Sequence, residues 1–492
     1  MSAVVDRVVL VVFDGLRPDM IAGRMPTLAA FGAEAITFSR ARSVFPSLTR
    51  VATTAIGSGH WPAAHGIVGN IFHAPDVVTG TALDTANFAH LDRARTRWGR
   101  VVAVPTLGEA LAAAGLRMAV VHGGSAGSAF LINPEVSANG HWTFSIHGEN
   151  ATQTPDAVRR AVAAHGQPPA GDLPRHASTA YVGAVALDQA LRDDGPEVVV
   201  VWLPEPDTSY HYREIGSADA DAAQRSADAV FAQVLDRVRG SRRRTALFAL
   251  SDHGQITITG QVDLQAAMRA DGLPVATRPG PDDRLGLTLG AAGEVRALGA
   301  DAGLIAAAAD WLMECPEVGM VFARDAAAAM LPGTLPLSAV RLDHARAPDL
   351  LYVMRSSLEP DSRGIPGTGL MSGNGVPVGG GMHGGLNRHE LATVLMLSLP
   401  GGMADHVDTR PCGLTDIAPT VLSLLGLSVS PYDGRALPWD GNAAPALTTE
   451  TLEASRHGFA QRLIRWCAEG RVWLDHGERC DRHSRVATDH DS

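Results

Sequence analysis

Short, near-continuous apolar runs alternate with alanine-rich stretches of helical spacing along most of this chain. Residues 7–13 (RVVLVVF) predict a strand buried on both faces, because the run stays apolar after its first residue. MPTLAAFGAEA predicts the helix that follows it. Further along, TLGEALAAAG and LRMAVVHGG pair a helix with a strand at 116–124, and the helix 177–193 precedes EVVVVWLP at 197–204. The amphipathic stretch 217–239 then precedes TALFALSDHG at 245–254. This alternation predicts an α/β fold with a mostly parallel central sheet flanked by helices. In such sheets ligands gather outside the carboxyl ends of the strands.

From about residue 260 to 375 the pattern loosens and Gly and Pro accumulate, as in PGPDDRLGLTLG and VRLDHARAPDLLYVM. That segment predicts a cap inserted over a catalytic core made of residues 1–259 and 376–445. The core resumes with ELATVLMLSLP and with LTDIAPTVLSLLGL, a helix for which Thr415 or Asp416 is the expected N-cap. Residues 446–492 predict one helix and a polar tail ending RHSRVATDHDS, frayed as chain ends are.

Composition narrows the class. With 492 residues and 46% apolar content, the chain suits a globular enzyme with more than one structural unit. A net charge of -11 argues against a basic face for a nucleic-acid duplex. All 41 basic side chains are Arg, so any side-chain cation that meets a phosphate is Arg or protonated His. The four cysteines form no CxxC pair, which gives neither a disulfide framework nor a thiolate metal site. The start, MSAVVDRVVLVVFDGL, lacks the marks of a signal peptide, and no segment has the apolar length of a membrane span. The expected compartment is the cytoplasm, with no membrane partner.

Candidate chemistry collects where the strands end. Asp14, Asp207 and Asp252 each lie just past an apolar run. PDTSYH sets Asp207 and His211 four apart, which on a helix puts both side chains on one face, able to grip one ion. SDHG delivers Asp252 and His253 together; each motif taken alone also fits a turn or a solvated surface. GGGMHGGLNRHE carries His383 among glycines that permit close backbone approach, while His389 belongs to the start of the next helix and to the surface. In FPSLTRVATTAIGSGHWPAAHGIVGN, Thr49, Thr53 and Thr54 are all candidate nucleophiles, because a zinc ion can hold a threonine hydroxyl as the alkoxide.

Taken in order, these motifs resemble the alkaline phosphatase superfamily, in the branch of type I phosphodiesterases/nucleotide pyrophosphatases and phosphonoacetate hydrolases. Members of that branch carry Gly ten residues after a nucleophilic Thr, His-Gly at sixteen and seventeen, and Asn at twenty-one. Here Thr49, Gly59, His65-Gly66 and Asn70 stand at those offsets, which singles out Thr49. FDG, DxxxH, SDHG and HGG follow in family order, so the resemblance covers about residues 7–440. It implies two Zn²⁺ ions, or Mn²⁺ or another divalent ion in their place. One would be held by Asp207, His211 and His383, and the other by Asp14, Asp252, His253 and the oxygen of Thr49. It also implies a phosphothreonine intermediate, with the Asn70 side-chain amide and the Arg50 backbone N–H on phosphoryl oxygens. The imidazole and carboxylate set suits zinc on its own chemistry.

The chain departs from the branch at Ala52, where the diesterases often carry Asn. The Arg50 guanidinium either forks onto the substrate phosphate or pairs with an acid at the rim. The expected activity is that of a di-zinc phosphodiesterase or nucleotide pyrophosphatase acting on a small-molecule phosphate ester. A phosphonoacetate-type C–P hydrolase or a phosphomonoesterase on the same site is the alternative, the former weakened by the absence of lysine. A catalytically silent metal-binding homologue is the alternative of another class. A sulfatase requires a Cys or Ser convertible to formylglycine, and no cysteine precedes Cys315. The groups attached to phosphorus and any homo-oligomer are left open.

Overall fold

The computed structural model of the protein describes residues 3–428, 431–439 and 446–480. Its central sheet has eight strands in the order His406–Asp408, Ile36–Phe38, Leu395–Ser398, Thr245–Leu250, Arg7–Phe13, Val198–Leu203, Met118–His122 and Trp142–Ser145. All neighbouring strands run parallel except Leu395–Ser398, which is antiparallel to both of its neighbours. Arg7–Phe13 lies in the middle, with Val8 in register with Val198 on one side and Ala246 on the other. Its alternate residues feed two cores: Val8, Leu10 and Val12 face one layer, and Val9, Val11 and Phe13 the other. Burial of both faces is why the run carries no polar alternation.

Helices Pro26–Gly32, His176–Val185 and Ala218–Gly240 cover the Val9 side through Leu28, Phe31, Val182 and Phe231. Helices Thr49–Ser58, Leu107–Ala113 and Ile417–Leu424 cover the Val8 side through Val51, Leu111 and Val421. The last of these begins after a 3-10 turn, with Asp416 at the N-cap position. The Asp416 carboxylate accepts the Gly413 and Arg435 N–H groups, so it fastens the chain around the helix start.

Residues 260–375 hold more regular structure than their composition suggested. A six-stranded sheet built from Val275–Ala276, Leu285–Leu287, Ala292–Ala297, Leu350–Met354, Val318–Ala323 and Leu335–Pro336 carries helices Leu264–Ala270 and Ala302–Glu314. This unit has its own core around Leu287, Leu312, Val321 and Tyr352. Met320 and Phe322 pack instead into the main core, where Phe322 lies 6.0 Å from the Phe45 ring, close to the segment that leads into Thr49.

Among the described residues of 446–492 there is no helix where one was expected; they form a three-stranded antiparallel sheet, Thr448–Arg456, Phe459–Ala468 and Arg471–Arg479. The reason lies in the turns. His457-Gly458 and Glu469-Gly470 each adopt two successive positive φ values (47° and 94°, 49° and 74°), the tight reversal that matches strand twist. Period-two alternation of exposed and half-buried residues along Thr448–Arg456 agrees with an edge strand. The polar tail beyond Cys480 lies outside the described residues. Among the described residues, no helix is long and apolar enough to cross a membrane.

Candidate dinuclear metal site

Three strand ends are laced together at the carboxyl edge of the sheet. The Gly15 N–H donates to Asp252 Oδ1 (3.0 Å) and the Asp207 N–H to the Asp14 carbonyl (3.0 Å). Gly15 turns the chain at φ +71°, and a Cβ there would meet Asp207 Cβ at 3.0 Å, so only glycine lets the strands close this tightly. Asp14, Asp252 and His253 are buried, and Asp207 nearly so.

Thr49 opens the helix Thr49–Ser58, whose N-cap, Leu48, offers no side-chain acceptor. Its hydroxyl therefore sits at the positive end of an uncapped helix. Thr49 Oγ1 lies 3.1 Å from His253 Nε2, which is in turn 3.1 Å from Asp252 Oδ2 and 3.6 Å from Asp14 Oδ1. Asp14 Oδ1 and Asp252 Oδ2 are buried and take no hydrogen bond. Two anionic oxygens left unsatisfied beside an imidazole and a hydroxyl form a pocket for a cation.

A second cluster adjoins the first. Asp207 and His211 lie on one face of the helix Asp207–Arg213, with His211 Nε2 3.3 Å and His383 Nε2 3.6 Å from Asp207 Oδ1. His253 stands between the clusters, its ring stacked on His383 at 3.6 Å between centroids. Two groups can each hold a metal ion, Asp14, Asp252 and His253 in one and Asp207, His253 and His383 in the other. The structure thus brings together all seven residues expected from the sequence, with His253 within reach of both clusters and His211 on the outer side of the second.

The partners behind these ligands fix their orientation. His211 Nδ1 donates to the Gly381 carbonyl (2.6 Å), His383 Nδ1 to the Ser47 carbonyl (2.7 Å) and His253 Nδ1 to the Gly254 carbonyl (3.2 Å). Each imidazole therefore turns its Nε2 inward, the nitrogen that would bind a metal once any proton on it is displaced. The Trp202 indole N–H donates to Asp14 Oδ2 (2.9 Å), and the Gln255 amide donates to Asp207 Oδ1 (2.5 Å). Ser47 ties the glycine loop to the nucleophile segment, donating its hydroxyl to Gly385 O and receiving the Gly384 N–H. Glu390 accepts the Gly385 and Asn387 N–H groups from below.

Electrostatics carry the same signature. Burial, then the nearby Asp252 and Asp207, hold the Asp14 carboxyl well above its usual range. Burial would also raise Asp207, but His211, His383 and His253 outweigh it and pull that carboxyl down. His211 and His253 are raised by Asp207 and Asp252 against the opposing effect of burial. His383 is driven down by burial and by the charge of His253. The shifts of Asp14, His211 and His253 favour bound protons, which a divalent cation would displace.

The spacing around Thr49 now has a physical meaning. Gly59 ends the helix at φ +73°, and a Cβ there would strike the Tyr432 ring at 2.7 Å. Gly66 turns at φ +75° against His344, and His65 is fully buried with its Nδ1 accepting the Ile67 N–H. These turns return the chain so that Asn70 Oδ1 accepts the Arg50 N–H (3.1 Å). The N–H that the resemblance directs at a phosphoryl oxygen is thus the group that holds Asn70 in this structure. The Arg50 guanidinium donates its Nε–H to Thr85 Oγ1 (2.8 Å) and lies 3.7 Å from Asp84, the acid at the rim. Thr53 and Thr54 donate to the helix carbonyls of Thr49 and Arg50, as threonines inside helices do. His389 is half-buried rather than a surface residue, and its Nδ1 meets the Arg17 guanidinium away from the two clusters.

Sequence reasoning passed over Trp202, Gln255 and Ser47. Trp202 was visible as the one N–H-bearing side chain in an otherwise aliphatic strand, and Gln255 directly follows SDHG.

An α/β sheet that gathers two adjoining ligand clusters around an uncapped helix start defines the class: a phosphoric ester hydrolase scaffold of the alkaline phosphatase kind. Residues 8–360 match the family profile described as type I phosphodiesterase / nucleotide pyrophosphatase, and the chain belongs to that family. Among solved structures it is similar to human ectonucleotide pyrophosphatase / phosphodiesterase 5, at 13% identity and a TM-score of 0.58, covering 87% of this chain and 97% of that one. The murine counterpart matches over the same shares at 14% identity and a TM-score of 0.58. An inactive threonine-to-alanine variant of the murine protein in complex with AMP matches at 14% identity and a TM-score of 0.59. No curated protein sequence matches.

Proposed function

We propose that the protein is a di-zinc phosphodiesterase or nucleotide pyrophosphatase in which Thr49 is the nucleophile. The observation that carries this reading is the placement of Thr49 Oγ1, 3.1 Å from His253 Nε2, beside the unpaired oxygens Asp14 Oδ1 and Asp252 Oδ2. Asp14, Asp252, His253 and Thr49 would hold one ion, and Asp207, His211 and His383 the other. The ligands are imidazole nitrogens, carboxylate oxygens and the Thr49 hydroxyl oxygen with no thiolate, and their Nδ1 anchors and orphaned oxygens fit that load. When bound, the ions supply Lewis-acid charge that lowers the pKa of the attacking hydroxyl and stabilises the departing oxygen.

The chain's own groups do the rest. The uncapped helix start favours negative charge on Thr49 Oγ. Thr49 Oγ bonds to phosphorus as the bond from phosphorus to the departing ester oxygen breaks. Water then adds to phosphorus, the bond to Thr49 breaks, and the hydroxyl is restored. Asn70, whose Oδ1 is committed to the Arg50 N–H, has its amide protons free to donate to a phosphoryl oxygen, where charge grows in the transition state. The inactive threonine-to-alanine variant of the murine relative supports a threonine in this role, and its AMP supports a small-molecule nucleotide or similar ester as ligand.

The test is a substrate panel on zinc-loaded and manganese-loaded protein: bis-p-nitrophenyl phosphate, p-nitrophenyl phosphate and phosphonoacetate. The proposal expects the diester to give the highest kcat/KM. Preference for phosphonoacetate, or turnover of none of the three, would overturn it.

A further inference from the structure

A cleft of about 600 Å³ lies beside the helix Asp207–Arg213 and takes no part in the chemistry above. Ile146, His147, Asp172, Arg175, Thr208 and Tyr212 are among its walls. Thr208 and Tyr212 directly follow Asp207 and His211 along that helix, so one wall is continuous with the second ligand cluster. On another wall, His147 Nε2 donates to the Gly124 carbonyl (3.0 Å), and a Cβ on Gly124 would lie 3.5 Å from Asp14 Oδ2. The cleft therefore lies one residue along the helix from the second cluster and one hydrogen bond from the Gly124 backbone that passes Asp14.

Its charge is that of Arg175. The Arg175 backbone N–H donates to Glu205 Oε1 (2.8 Å), but among the described residues its guanidinium makes no hydrogen bond or ion pair. Arg175 and His147 line the same cleft, and after burial the Arg175 charge is what lowers the His147 imidazole. The acid on the same wall is already engaged: Asp172 accepts from the Ala177 and Ser178 N–H groups and from Ser178 Oγ. A half-enclosed guanidinium with open donors, in a cleft that Tyr212 also lines, is a receptor for an oxyanion. Ile146 and Leu173 add apolar wall that suits a short hydrocarbon spacer.

We propose that this cleft receives an anionic substituent of the substrate, a carboxylate or a second phosphate joined to the reacting phosphorus by a short spacer, and that Arg175 selects for it. The inference rests on the reading of the metal clusters as the phosphoryl site. Arg175 contacts neither cluster, and its side chain supports no element of the fold, so the variant Arg175→Gln is expected to fold and to hydrolyse bis-p-nitrophenyl phosphate as the unaltered protein does.

The experiment measures binding by calorimetry to zinc-loaded full-length protein, which needs no turnover. The probes are alkyl phosphates, ω-carboxyalkyl phosphates and ω-phosphonooxyalkyl phosphates with one to four methylenes. One of the two anionic series is expected to bind at least about tenfold more tightly than the matching alkyl phosphate, identifying which anion the cleft takes. Arg175→Gln should abolish that gain and Arg175→Lys should retain part of it, with alkyl phosphate affinity unchanged in both. The proposal is overturned if every anionic probe binds like its alkyl match, or if the gain survives in Arg175→Gln. If no probe binds at all, alkyl phosphates included, the reading of the clusters as the phosphoryl site fails with it.

Discussion

Replacing Trp202 by Phe removes one hydrogen bond from the buried face of Asp14 and leaves every proposed metal ligand in place. The indole N–H donates to Asp14 Oδ2 at 2.9 Å, while Asp14 Oδ1 faces the first cluster without a partner. A hydrogen bond to a charged group contributes about 1.5–3 kcal/mol, and loss of such a supporting partner costs roughly 10–100-fold in metal affinity. The substitution also leaves a void beside His122, whose ring stacks on Trp202 at 4.9 Å, so folding stability should fall by about 1–3 kcal/mol. The two effects separate because chelator competition reads affinity in the folded protein, whereas urea unfolding of metal-free protein reads stability. Their pH dependence gives a further check. Burial and the neighbouring carboxylates raise Asp14, and the Trp202 hydrogen bond opposes that rise, so its loss moves Asp14 higher still. The ion must then displace a more tightly held proton, and the affinity deficit of the variant should widen as pH falls. Equal affinities in the two proteins, or a deficit that widens as pH rises, would refute the reasoning.

Three further outcomes are expected. Asn70→Ala should lower kcat on a diester by about 10²–10³-fold while leaving metal content unchanged, read by steady-state kinetics beside metal analysis; a change in KM alone would assign Asn70 to binding. Asp475→Asn weakens the partner of the buried Arg42, which it meets at 2.9 Å, and of Arg388 at 3.0 Å, so unfolding free energy should fall by about 3–5 kcal/mol in urea titration. Glu390→Gln should become relatively more stable as pH rises. Burial pushes the Glu390 carboxyl up to about 7, so between the unfolded value of 4.5 and that pH the folded state binds more protons, and the wild-type protein loses stability with rising pH. Urea titrations at pH 5 and pH 8 should show the variant gaining on wild type at the higher pH, and the opposite trend would remove Glu390 from this role.

The strand ends were legible because burial on both faces of a parallel sheet leaves a continuous apolar run, and the first polar residue after it marks the carboxyl edge. Asp14 and Asp252 were found that way, and the helix at Asp207–Arg213 bore out the expectation that Asp207 and His211 share a face. The sheet at 448–479 was not legible from apolar content, because its outward residues are Thr, Glu, Ser and Arg and its reversals use His-Gly and Glu-Gly rather than the commoner Asn-Gly. The unit between 260 and 375 was obscured for a related reason. The strands of its six-stranded sheet are two to six residues long, too short for periodicity to register, and its core forms from pieces distant in sequence. Arg50 illustrates a different limit. Residue type fixed its charge, but whether the guanidinium meets phosphate or protein depends on Thr85 and Asp84, which only the tertiary fold brings beside it.

The central claim is that Thr49 itself bonds to phosphorus. Rapid quench of zinc-loaded protein mixed with bis-p-nitrophenyl phosphate, followed by intact-mass and peptide analysis, tests it directly. The account predicts a transient adduct of one p-nitrophenyl phosphoryl group on the peptide that contains Thr49, formed with a burst of one p-nitrophenolate per site and absent from Thr49→Ala. Full turnover by Thr49→Ala, or an adduct on any other residue, would contradict it.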